Sequence, residues 1–280
     1  MKFPNVTRRQ FVRSVALSGG ASALWMRFVE PWWMRDSFHT VPLGLGGLKL
    51  LHLSDLHAEP MPLDFLSRQI DHALAWKPDF ICVTGDFITT KYEQWDAYAA
   101  VLAKLPAAAP TYATLGNHDG GRWARFSGYS TTENVRNLLE RARIPLLHNT
   151  QQEIEVRGRR IKLVGLGDDW AGELEPVQAF GGFPGDIKRG AIPTIALSHN
   201  PDTKDELAGF AWDLMLSGHT HGGQLSLPLF GQPFAPVRDK RFVRGLYEWD
   251  SRWLHVTAGL GSLHKARFNC RPEISYLTLA

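Results

Sequence analysis

The chain has 280 residues, 44% of them hydrophobic, enough for one large α/β domain or two small ones, and this excludes a disordered chain. Its net charge of +3 and pI near 8.9 make no case for non-specific nucleic-acid binding. Lys2, Arg8, Arg9, Arg13, Arg27 and Arg35 against Glu30 and Asp36 put +4 into residues 1–36 and leave −1 for the remainder, and two cysteines, Cys82 and Cys270, are too few for a disulfide framework.

Residues 1–36 read as a leader. "TRRQFVRSVALSGGASALW" pairs two arginines with Phe11 and a modestly apolar stretch, and from Thr7 to Arg13 it resembles a twin-arginine export signal. The apolar stretch Val15–Val29 is interrupted by Gly19 and Gly20 and is shorter than the ~20 residues a spanning helix needs. Either cleavage follows "ASA" at Ala23, or the segment stays as an anchor. In the second case Trp25, Phe28, Trp32 and Trp33 among arginines suit a membrane interface, or else pack on the domain.

From Leu45 a unit repeats: apolar strand, polar loop, amphipathic helix. "LKLLHLSDLH" is the first strand, "PLDFLSRQIDHALAWKP" its helix, "DFICVTGDF" the second strand, "EQWDAYAAVLAKLP" its helix and "TYATLGNHD" the third strand. "EIEVRGRRIKLVGLGDD" alternates about a Gly-containing turn and predicts a hairpin. "TIALSHNPD" and "WDLMLSGHTHGGQ" repeat the strand-into-loop form, and the C-terminal stretch is strand-rich. The expected fold class is α/β, two packed mixed β-sheets flanked by helices, in a single domain over 37–280.

Every polar cluster falls at the C-terminal end of an apolar strand, where open α/β sheets place ligands. Asp55 and His57 end the first strand, Asp86 the second, Asn117, His118 and Asp119 the third, His199 a later one, and His219 with His221 the last. Singly, each has an ordinary reading as an N-cap, a turn residue or a satisfied polar group. Jointly, carboxylate, imidazole and amide donors without cysteine suit Mn²⁺, Fe or Zn²⁺, and seven candidate ligands exceed what one ion with an open position takes. Two divalent metal ions are implied, with Mn²⁺ favoured.

"SDLH", "GDF", "GNHD", "SHNPD" and "GHTHGGQ" resemble the five signature blocks of calcineurin-like metallophosphoesterases. The resemblance implies that Asp55, His57, Asp86 and His221 hold one metal and Asp86, Asn117, His199 and His219 the other, with Asp86 bridging. It also implies that the ions activate water and neutralise phosphate oxygens. His118 would stabilise or protonate the departing oxygen, and Asp119 would orient its ring.

The substrate is less legible. "GGRWARFSGYSTTEN" is either a lid offering Arg122 and Arg125 to a phosphate, together with Trp123 and Phe126, or a solvated loop. "LPLFGQPFAPVRDKRFVRG" is either an apolar lip, with Phe230 and Phe234, beside a basic rim of Arg238, Lys240, Arg241 and Arg244, or a proline-rich crossover packed on the domain. His52, His72, His148, His255 and His264 match no motif and read as structural, His264 being the one to test. The leader and the motifs together resemble the membrane-associated or exported branch of the family, which includes broad phosphodiesterases and UDP-2,3-diacylglucosamine hydrolases of lipid A synthesis. A lipid-linked nucleotide substrate at the cell inner membrane ranks first. Behind it stand a general phosphodiesterase exported to the periplasm or envelope, and a metal-bearing envelope-binding protein with little turnover. A membrane surface and the twin-arginine export machinery are the expected partners, and no specific nucleic acid is.

Overall fold

The computed structural model describes residues 7–185 and 190–280. Helix α1 (Arg8–Phe28) is capped by Thr7, whose hydroxyl oxygen accepts from the Gln10 amide at 3.2 Å. There follow β1 (Arg35–Val41), β2 (Leu48–Leu53), α2 (Leu63–Leu74), β3 (Phe80–Thr84), α3 (Trp95–Leu102), α4 (Lys104–Ala108) and β4 (Thr111–Thr114). Next come α5 (Gly121–Ala124), α6 (Glu133–Arg141), β5 (Thr150–Val156), β6 (Arg159–Gly165), α7 (Pro176–Phe180) and β7 (Thr194–Leu197). The chain closes with α8 (Thr203–Glu206), β8 (Leu214–Ser217), β9 (Gly245–Trp249), β10 (Arg252–Val256) and β11 (Glu273–Leu279).

Two mixed sheets result. The first has the order β1-β11-β2-β3-β4, with β2, β3 and β4 parallel and β11 antiparallel to β2. The second has the order β5-β6-β7-β8-β10-β9, parallel from β6 through β10 and antiparallel at both edges. Successive side chains of a strand point to opposite faces, so one run supplies two layers. Leu50, Phe80 and Cys82 face Leu163, Ile195, Leu197, Leu214 and Leu216 across the inter-sheet core. Leu51, Leu53, Ile81 and Val83 point outward and bury against Leu66 and Ile70 of α2, Tyr98 of α3 and Leu138 of α6. The second sheet's outer face carries Val164, Ala196 and Met215 against Phe180, Phe210 and Trp212.

The leader's aromatics differ in their surroundings. Trp32 packs edge-on against Phe65 at 5.2 Å, whereas Trp25, Phe28 and Trp33 are exposed. Arg35 and Asp36, grouped with the leader on charge, are ladder residues of β1 opposite Glu273 and Ile274. Among the described residues no helix is long and apolar enough to cross a membrane. Residues 1–6 of the leader lie outside the described residues.

Candidate metal centre

Five parallel strands aim their carboxyl ends at one place. β2 delivers Asp55 and His57, β3 Asp86, β4 Asn117 and His118, β7 His199, and β8 His219 and His221. Backbone hydrogen bonds continue past the strand ends and fix these loops: Asp55 N–H donates to Gly85 O, His57 N–H to Asp86 O and Gly218 N–H to His199 O, each at 3.0 Å. The two sheets meet where His219 N–H donates to both Asp55 carboxylate oxygens at 3.0 and 3.1 Å. Asp55, His57, Asp86, His219 and His221 all have φ between 48° and 69°. Non-glycine residues rarely adopt that conformation, and concentrated strain of this kind marks a site whose side-chain directions are over-determined. Gly116 and Gly218 make room: a Cβ on the first would sit 2.3 Å from Asp86 Oδ1, and on the second 2.2 Å from Asp55 Oδ2.

One ligand atom each from Asp55, His57, Asp86 and His221 lies within 4.8 Å of the others, and all four residues are buried. Asp86 Oδ2 is 3.6 Å from His57 Nε2 on this side and 3.1 Å from His199 Nε2 on the other. His199 and His219 rings pack edge-on at 5.1 Å. Three of the four imidazoles are oriented through their other nitrogen, the arrangement that frees a lone pair for a metal. His57 Nδ1 bonds Thr89 Oγ1 (3.0 Å), His199 Nδ1 donates to Thr84 O (2.7 Å), and His219 Nε2 donates to Pro236 O (3.0 Å). Asn117 Oδ1 is buried without a hydrogen-bond partner, and His199 Nε2 has only the Asp86 carboxylate, 3.1 Å away. An orphaned amide oxygen of this type, beside a carboxylate and an imidazole, fits a divalent cation.

The charges point the same way. Burial pushes His57 and His219 down to about 3 and His221 well below its ordinary value, so these rings are neutral near pH 7. Burial also lifts Asp55 to about 6 against the pull of His199. For Asp86 the effect of burial is overcome by His199, then His118 and His57, which hold it well below the carboxylate range. His199, which burial alone would lower, is raised well above its usual value by Asp86, with Asp55 and Asp168 assisting. The carboxylates therefore demand positive charge in this pocket, which a divalent cation would supply.

His118 and Asp119 take different places. His118 N–H donates to Asp86 Oδ1 (2.9 Å), and its ring nitrogen Nδ1 bonds Thr89 O (2.7 Å). Asp119 does not reach the His118 ring, which corrects the expectation that it orients it. Its carboxylate instead accepts from the backbone N–H groups of Asp86, Phe87, Ile88 and Gly116, because the tight turn after β4 aims it back under the β3 loop. Burial and then Asp86 push the Asp119 carboxyl up to about 8, opposed by those N–H donors.

A cavity of about 380 Å³ opens over the centre, lined by Asp86, Asn117, His118, His219 and His221 and walled by Trp123, Trp170, Pro236, Leu263 and His264. Trp123 lies 4.3 Å from His118 and Trp170 4.4 Å from His219, ring centre to ring centre. Arg122, Arg125 and Arg241, expected to meet substrate phosphate, are not among its lining residues. Arg125 stacks on Phe126 at 4.4 Å, and Arg241 forks onto Asp239 (2.6 Å), both on the exposed surface. The loop after "GNHD" thus contributes an indole rather than a guanidinium. In the later segment, Ala235, Val237 and Val243 pack together while Leu229, Phe230 and Phe234 stand in solvent, so crossover and lip both occur.

The spacing of motifs did not reveal several supporting groups. Thr84 and Thr89 orient the histidines, and Asp168 is buried beside His199 with Oδ2 unpaired. The buried Arg267 donates to the carbonyls of His221, Ala258 and Cys270 and, through a short bond, to that of Gly261. "GDD" is the one local signal that could have pointed to Asp168; Arg267 has none, since its partners are scattered from His221 to Cys270.

The sequence profile for calcineurin-like phosphoesterases matches residues 48–223. Phosphodiesterase YaeI of Escherichia coli (strain K12) is 37% identical over 98% of this chain and 99% of its own length. The uncharacterized metallophosphoesterase YkuE of Bacillus subtilis (strain 168) is 30% identical over 98% of each. UDP-2,3-diacylglucosamine pyrophosphatase LpxG of Chlamydia trachomatis is 28% identical over 82% of this chain and 83% of that protein.

Proposed function

This chain belongs to the calcineurin-like phosphoesterase family and is a hydrolase of that family, and we propose that it cleaves a phosphodiester or pyrophosphate bond in a lipid-linked substrate using two divalent cations, Mn²⁺ first among them. Asp55, His57, Asp86 and His221 would hold one cation, and Asp86, Asn117, His199 and His219 the other. When bound, such ions acidify water and neutralise phosphoryl oxygens. The observation that carries this reading is the buried cluster of Asp55, His57, Asp86 and His221, with ligand atoms within 4.8 Å of one another, beside the unpartnered Asn117 Oδ1.

The chain's own groups supply the rest. With Nδ1 donating to Thr89 O, His118 keeps that hydrogen and exchanges a proton through Nε2, which suits it to protonate the leaving oxygen. Asp119 ties the His118 loop to the β3 loop and so fixes the proton donor relative to Asp86. Trp123, Trp170, Pro236 and Leu263 wall the cavity with apolar surface, which excludes water and favours a leaving group with an apolar or aromatic body over a polyanion. That lining and the relative named UDP-2,3-diacylglucosamine pyrophosphatase support UDP-2,3-diacylglucosamine of lipid A synthesis as substrate. The more similar relative named phosphodiesterase supports the second reading, a general exported phosphodiesterase. The twin-arginine-like leader supports action at the cell inner membrane or beyond it.

The test is hydrolysis of bis(p-nitrophenyl) phosphate and of UDP-2,3-diacylglucosamine with added Mn²⁺, by the native protein and by His118→Ala. We expect metal-dependent turnover of both that falls at least about a hundredfold in the variant. Equal rates in the two proteins would remove His118 from the chemistry. Turnover of the aryl diester alone would leave the general phosphodiesterase, and no turnover of either would favour an envelope-binding protein.

A further inference from the structure

Away from the metal centre, residues 263–271 run between two exposed apolar elements. On one side is the end of α1, where Arg267 N–H donates to Met26 O at 3.0 Å and Arg27 reaches Lys265 O at 3.5 Å. There Leu24, Trp25, Phe28 and Trp33 are exposed, Phe28 by 63%. On the other side is a turn joining Leu227 to Gly231, held by Ser226 N–H to Phe268 O (2.8 Å) and Phe268 N–H to Gln224 O (3.0 Å). Its tip leaves Leu229 fully exposed and Phe230 77% exposed, with Phe234 beside them.

A second cavity of about 380 Å³ lies in the same region, lined by Arg35, Arg244 and Arg271 with Trp25, Trp33 and Asn269. Asn269 also donates to Ser226 O at 3.2 Å, which joins the cavity to the second apolar element. Arg271 is stacked on Trp33 at 4.1 Å and tied to the carbonyls of Trp33 and Met34. Arg35 is exposed, and among the described residues its guanidinium makes no hydrogen bond. Glu30, the carboxylate lining this cavity, is occupied by the Cys270 N–H and Trp25 Nε1, and the buried Glu273 lies in the field of Arg244 and Arg35.

We propose that this face docks the protein onto an anionic phospholipid bilayer, with a lipid phosphodiester in the Arg35–Arg244–Arg271 cavity and the two apolar tips among the acyl chains. Guanidinium groups match phosphate oxygens in fixed, paired geometry. A free anion would satisfy the arginines and leave the flanking Trp, Phe and Leu side chains wet, whereas a bilayer surface satisfies charge and apolar area together. The segment that joins the two elements begins with Leu263 and His264, which wall the cavity over the metal centre. Docking there would bring that cavity to the bilayer plane. The inference stands on this surface and not on the substrate reading above.

Co-sedimentation of the full chain with phosphatidylcholine vesicles, with and without phosphatidylglycerol, tests it. Binding to the anionic vesicles is expected to be at least about tenfold tighter, to fall about tenfold in Arg35→Glu, and to fall on both vesicle types in Phe230→Ser. Turnover of soluble bis(p-nitrophenyl) phosphate should be unchanged in Arg35→Glu, which separates this result from any failure of the catalytic reading. Equal partition of Arg35→Glu and parent would overturn the proposal, as would equal binding to the two vesicle types. Saturable binding of inorganic phosphate without vesicle binding would also overturn it, by leaving a free-anion site, and so would capture of a protein in place of lipid.

Discussion

His118 and Asp119 are neighbours in "GNHD", yet one is exposed to the cavity and the other is buried under four backbone N–H groups. Removing the carboxylate would strand those donors, and unsatisfied buried groups of this kind cost several kcal/mol together. Asp119→Ala is therefore expected to lose roughly 3–5 kcal/mol of unfolding free energy, read from the urea midpoint, while His118→Ala loses under about 1. Comparable losses in the two variants would refute the division of labour. Residue types were readable here because metal-site donors are a small chemical set. Their partners were not: Thr89, Asp168 and Arg267 are ordinary residues whose importance comes only from who stands beside them.

At the scale of elements, the β2, β3 and β4 strands and the β5–β6 hairpin follow from apolar runs, alternation and a Gly turn, because period and turn chemistry are local properties. β1 is different. "RDSFHTV" has four of its seven residues exposed and is a strand because β11 offers it a parallel ladder from Arg35 to Val41. The close approach of β8 to β2 is likewise non-local, and Gly218 is where it is tightest. A Cβ there would lie 2.0 Å from Ser54 Oγ as well as against Asp55. Gly218→Ala is expected to displace the His219–His221 loop from Asp55 and weaken Mn²⁺ binding about ten- to a hundredfold by calorimetry. Unchanged affinity would mean that the loop yields without moving its histidines.

Over the whole molecule, the two sheets enclose a second set of imidazoles that the chemistry does not use. His52 of β2 and His255 of β10 meet at 2.9 Å through their Nδ1 atoms, and His52 Nε2 bonds Thr84 Oγ1. Burial lowers His52 from 6.5 to about 3 and His255 well below 6.5, so the folded state holds both neutral while the unfolded chain binds protons below about pH 6.5. Their contribution to stability is then complete above pH 6.5 and lost progressively as pH falls towards 3, on the order of several kcal/mol. Urea midpoints measured from pH 7.5 to 4 should fall with pH, and the fall should be shallower in His52→Leu/His255→Leu. An unaltered slope in the double variant would assign the acid sensitivity elsewhere.

By itself the sequence determined the strand-into-polar-loop rhythm and the family motifs with their carboxylate, imidazole and amide side chains, since each depends on residues a few positions apart. Tertiary structure decided that Asp86 stands between His57 and His199, that tryptophans rather than arginines wall the cavity, and that residues 263–271 are tied to both α1 and the segment before the 227–231 turn. Those facts depend on distances between residues far apart in the chain, which only the packing of one sheet on the other fixes.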